Sequence, residues 1–140
     1  MRTKKKEIAM ATLTEDYVSY ETAKLLKEKG FDEKCFALYN PDGMLIQSGI
    51  RLNNIQVGKV KGSYSAPTLQ MAMKWLREVH NVVCFICPSI EQGFHTNKWN
   101  SYIDKLSDNF PKDPLWFVET SDSYEEACEA AIKYCLENLI

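Results

Sequence analysis

Apolar positions at helical spacing are densest between Leu69 and Val79. At about 100° per residue, Leu69, Met71, Ala72, Met73, Trp75, Leu76 and Val79 fill an arc of roughly 200°. Gln70, Lys74, Arg77 and Glu78 share the remainder. A surface helix needs an apolar stripe only a little wider than about 100°. The spacing therefore predicts a helix buried on two sides, against a sheet and a second helix. Ser65 is its expected cap and Pro67 belongs in its first turn, where a missing N–H costs nothing. His80 closes it, at the carbonyl end that favours a protonated imidazole. A second copy of the chain could cover the same broad side, so the Met71–Trp75 edge is either core or interface.

The same periodicity places two more helices. Ser19-Tyr-Glu-Thr22 offers a cap followed by an acid in the first turn. Thr22, Ala23, Leu25 and Leu26 then face inward, and Gly30 supplies the left-handed residue that commonly ends a helix. Ser123-Tyr-Glu-Glu126 matches a capping box, with Glu126 reaching back to Ser123. Ala127, Cys128, Ala131, Ile132, Tyr134, Cys135 and Leu139 form the inner side of that closing helix.

Between the helices the pattern turns to strands. Cys35–Tyr39 and Met44–Ser48 flank Asn40-Pro-Asp-Gly43, a turn with a φ-fixed proline and a glycine free to take positive φ. Val82–Cys87 is an unbroken apolar run, which predicts an interior strand covered on both faces and ended by Pro88. Glu91-Gln-Gly93 is a turn signal, Trp99–Ile103 a returning strand and Leu115–Val118 the last one. Residues 51–64 read as a polar linker, and Asp108–Pro114 as a loop with two prolines. The expected architecture is α+β: one antiparallel sheet of about four to five strands with three helices, in the order α-ββ-α-βββ-α.

Length changes little in this picture: 140 residues suit one domain with a real core. Charge changes more. Arg2, Lys4, Lys5 and Lys6 take four of the seventeen basic residues, leaving 13 against 19 acidic groups in the rest. The expected organisation is a basic, flexible tail over 1–16 and a single globular domain over 17–140. An acidic body repels polyanions, so nucleic acid is not the expected partner. The longest apolar run is far short of the roughly 18–20 residues of a membrane span, and a signal-peptide pattern is missing, which points to the cytoplasm.

Candidate chemistry is sparse. Five cysteines in no framework suit reduced thiols. Cys84-Phe-Ile-Cys87 has metal-site spacing, but in a strand residues three apart point to opposite faces. Core packing is the expected role of Cys84, Cys128 and Cys135, with no metal and no cofactor. His95 has only Glu91 and Asp104 as acids nearby in sequence, and no serine-hydrolase, zinc-protease or phosphate-loop motif occurs. No catalytic residue is therefore assigned. Tyr64, Trp99 and Tyr102 are the candidate binding residues, since tryptophan and tyrosine concentrate in contact hot spots.

Residues 66–140 share the helix, three-strand meander, helix order of a double-stranded-RNA-binding domain. Such domains place lysines at the start of the last helix, where this chain has Ser-Tyr-Glu-Glu-Ala-Cys-Glu, so the function does not transfer. Three blocks carry a closer resemblance: Asp16–Asp32, Tyr64–Asn81 and Ser123–Ile140. In them the chain resembles a group of small uncharacterised proteins of gut anaerobic bacteria and their phages and mobile elements. The resemblance implies an accessory role in that setting and no reaction.

The reading favoured by these observations is a non-enzymatic accessory protein that binds another macromolecule, best a protein, with a homodimer left open. Two alternatives stand beside it. One is a small enzyme with a site near His95; the other is a nucleic-acid-associated factor using the basic tail.

Overall fold

The computed structural model describes residues 15–106 and 115–140. The expected tail up to residue 14 and the expected loop at 108–114 lie outside the described residues.

Helix α1 spans Tyr20–Glu28 and is capped as its sequence implies, the Ser19 side chain accepting from Thr22 N–H. Gly30 takes φ 93°. Its N–H reaches the Lys27 carbonyl, and that of Phe31 reaches Leu26, so Phe31 folds back into the core. Strands β1 (Cys35–Tyr39) and β2 (Leu45–Leu52) form the expected hairpin. Asn40 Oδ1 shapes its turn by accepting from Asp42 N–H (3.0 Å) and Met44 N–H (2.9 Å).

Residues 51–64 are not a plain linker. They hold the end of β2, a one-turn helix α2 (Asn54–Val57) and the start of the two-residue strand β3 (Tyr64–Ser65). The short helix has a complete capping box, Asn53 with Gln56. Asn54, buried, donates to the Phe31 carbonyl and accepts from Ser65 N–H, both at 2.8 Å. One amide side chain thus ties the end of α1 to β3.

Helix α3 spans Leu69–His80. Its cap is Thr68, which accepts from Met71 N–H at 3.1 Å, and not Ser65, which lies in β3. Pro67 precedes the cap. Its carbonyl accepts from Val18 N–H, while Leu69 N–H donates to Asp16, so the chain from Asp16 onward belongs to the folded body. His80 is the last residue of the helix, while its cap is Asn81, in the left-handed region at φ 57°, and His80 packs edge-on against Trp75 at 4.7 Å. The broad apolar side is largely core: Trp75 is 6% exposed and meets the Phe31 ring at 5.4 Å. Burial on that scale contributes about 2 kcal/mol per large side chain. Val79, at 54% exposed, drops out of the buried arc.

Strands β4 (Val82–Glu91), β5 (Phe94–Lys105) and β6 (Trp116–Ser121) form an antiparallel meander in the order β4-β5-β6. The described residues therefore form two three-stranded sheets, the other ordered β2-β1-β3, in place of one larger sheet. Local pairing explains the split. Gln92 and Gly93 take φ 51° and 83°, the two-residue turn that closes a hairpin at once. Strand β4 is an edge and not an interior strand, and it continues past Pro88. A proline without an N–H is tolerated there because the register shifts between Pro88 and Ile90 on that edge. All three strands run longer than their apolar cores suggest.

Helix α4 (Tyr124–Asn138) organises the whole. It packs on all three strands of the meander and also touches α1 and α3. Ser123 caps it through Glu126 N–H at 3.1 Å, and Glu126 reaches Asp122 N–H rather than Ser123. Ala127, Cys128, Ala131, Ile132, Cys135 and Leu136 are buried along it. Small residues on this face let the helix lie close to both sheet and helices.

Candidate functional site

The meander has one face covered by α4 and the other open. Strand alternation assigns the side chains. Cys84 faces inward, its Sγ 4.0 Å from that of Cys135 on α4, while Cys87 is exposed on the opposite face. The two cysteines diverge as the strand spacing requires, and among the described residues no cluster of His, Cys, Asp or Glu is arranged to hold a metal.

On the open face, Phe85 lies opposite Tyr102, and Tyr102 opposite Phe117. The three form a row across the strands, with Phe85 42% and Phe117 50% exposed and the Tyr102 and Phe117 rings 5.4 Å apart. The row depends on a bulge. Ser101 pairs with Glu119 but Tyr102 pairs with Phe117, so Val118 is an extra residue in β6. It packs against the core and turns Phe117 outward. Beside the row, Thr120 donates to Asn100 Oδ1 at 2.7 Å, and the Asn100 amide reaches Tyr102 Oη at 3.5 Å. Val83, Phe85, Cys87, Asn100, Tyr102, Asp104, Phe117 and Thr120 occupy this face, and none is basic.

Of the residues singled out from sequence, only Tyr102 belongs to the row. Tyr64 is half-buried against Tyr20 at 5.5 Å, with the Lys27 ammonium 5.2 Å above its ring. Trp99 packs edge-on against Tyr124 at 5.2 Å, on the covered side. Phe85 and Phe117 have no distinguishing signal in the sequence because each lies within an apolar run. Only the register shows that they share an open face. His95 is exposed, opposite Ile90 near the tip of the β4–β5 hairpin. It lines neither the cleft nor the groove described next, and the structure brings Asp104, at the far end of β5, no closer to it.

A second feature lies on the other side. A cleft of about 770 Å³ opens between the start of α1, the end of β6 and α4. Asp16, Glu119, Asp122, Glu125, Glu126 and Glu129 line it, together with Lys98 and Lys133. Both lysines are engaged: Lys98 pairs with Asp122, and Lys133 Nζ lies 2.9 Å from Glu21. The hydrogen bond and charge of Asp122 push the Lys98 ammonium above its ordinary range. One Glu129 oxygen is spent on α1, accepting from Ser19 N–H (3.1 Å), the Ser19 hydroxyl and Thr22 Oγ1 (2.5 Å). A smaller apolar groove of about 220 Å³ runs past Met71, Phe36, Pro67 and Arg51. Met71 is thus half-buried at its side rather than wholly core.

No protein-family model, curated protein or solved structure matches the chain.

Proposed function

We propose that the chain is a small, non-enzymatic accessory protein that binds another protein through the open face of the meander. The observation that carries this reading is the row Phe85–Tyr102–Phe117, three aromatic side chains in register on a solvent-facing sheet. Aromatic side chains bring large area at small entropic cost, and exposed contiguous ones mark contact sites. Asn100 and Thr120 supply the polar rim such a patch needs. Aromatic sheets can also stack nucleic-acid bases, but those platforms track the phosphates with basic groups. The positions around the row carry Asp104 and no lysine or arginine, and Lys98, two residues before Asn100 on β5, is paired with Asp122, so a protein fits better. The resemblance to proteins of gut anaerobes and their mobile elements supplies the setting, in the cytoplasm.

The test is affinity capture with the wild-type chain beside a Phe85→Ser/Phe117→Ser variant whose urea midpoint matches wild type. A protein retained by wild type, lost by the variant and rebinding in purified form supports the reading. Equal retention by both overturns it.

A further inference from the structure

We propose that Cys84 and Cys135 are a site of reversible oxidation, closing to a disulfide that ties β4 to the last turn of α4. This site is separate from the aromatic row and does not depend on it.

The geometry of the pair carries the proposal. Cys84 Sγ and Cys135 Sγ are 4.0 Å apart although the residues are 51 positions apart in the chain. A disulfide holds its sulfurs about 2.0 Å apart, so closure asks for a further approach of about 2 Å. Rotation about the Cα–Cβ bonds moves both sulfurs. Strand β4 can follow, because it is the edge of its sheet and is paired there with β5 alone among the described residues.

The two thiols also differ in the way such chemistry needs. Cys84 is half-buried, so a small oxidant can reach it, whereas Cys135 is fully buried behind it. The hydrogen bond from Cys135 lowers the Cys84 thiol below its ordinary range, against the opposing effect of burial. Cys84 is therefore the nucleophile and Cys135 the resolving thiol. The other three cysteines are placed differently. Cys35 is in the other sheet, Cys87 faces away from α4, and Cys128 lies two turns before Cys135 and is wholly buried.

The oxidant is a hydroperoxide. The Cys84 sulfur attacks the peroxide, the O–O bond breaks, and an alcohol or water leaves as Cys84 becomes a sulfenic acid. The Cys135 sulfur then attacks that of Cys84. The S–O bond breaks, the S–S bond forms, and the oxygen leaves with the Cys135 proton as water. The two thiols together give up two electrons to the peroxide, and a dithiol reductant returns them.

Hydrogen peroxide added to the native Cys87→Ser protein tests this, since that exposed substitution leaves the core intact and removes the competing surface thiol. Trypsin cuts after Arg77, Lys98 and Lys133, so it separates Cys135 from Cys128. The expected product joins residues 78–98 to residues 134–140, weighs two hydrogens less than the two peptides, and disappears on treatment with dithiothreitol. The intact oxidised protein should melt about 5 °C or more above the reduced one. Adding Cys84→Ser should abolish both the linked peptide and the shift. The proposal falls if oxidation stops at an acid of Cys84, if Cys84 is joined to Cys128, if the link forms only in urea, or if it lowers Tm.

Discussion

Thiol chemistry shows what individual residues contribute. Burial pushes the Cys35 and Cys128 thiols up to about 11 from an ordinary 9.0. The contact with Cys84, and then burial, pushes Cys135 up as well. In the folded chain Cys128 stays protonated until about pH 11, whereas the unfolded thiol ionises near 9. The unfolded state loses its proton first, so stability is intact below pH 9 and declines as pH rises from 9 to 11. The loss is of order 2 kcal/mol per thiol. Urea midpoints measured across that window should fall for wild type and fall less steeply for Cys128→Ala. Cys87, exposed on the open face, should be the first cysteine modified by a thiol reagent in the native protein.

Single side chains at element junctions hold the helices and strands in place. Asn54→Ala removes partners from two backbone groups at once, the Phe31 carbonyl and Ser65 N–H. A loss of about 2–4 kcal/mol in urea denaturation is the expected outcome, more than for an ordinary surface position. Thr68→Ala deletes the cap of α3 and should cost about 1 kcal/mol, with faster amide exchange at Met71. The cap could not be told apart from Ser65 in the sequence, because both residues can cap and Pro67 sits between them. The choice depends on β3, whose pairing with Leu38 and Tyr39 holds Ser65 in an extended strand. A two-residue strand leaves no periodic trace.

At the scale of the molecule, α4 and the two open sheet surfaces matter most. Strand β2 is an edge exposed along nearly its whole length, with Ile50 65% exposed. Apolar edges invite pairing with other chains. Ile50→Lys should reduce self-association in light scattering while shifting the urea midpoint by no more than about 0.5 kcal/mol. Trp75 answers the question raised by the wide apolar arc of α3, since Phe31 and His80 cover it from within the same chain.

The sequence by itself determined the three long helices, the Asn40–Gly43 hairpin and the divergence of Cys84 from Cys87. Each follows from interactions a few residues apart: caps, φ preferences and side-chain periodicity. Tertiary structure alone decided which strands sit at an edge, and so which face of β4–β5–β6 is open. An apolar strand looks the same whether one face or two are covered. The aromatic row required a bulge at Val118 and a register across three strands, and the acidic cleft required Asp16, Ser121 and Glu129 to meet from distant positions. Those contacts exist because α4 lies across the meander and against α1, and pairing over such separations leaves no mark on the local pattern of the chain.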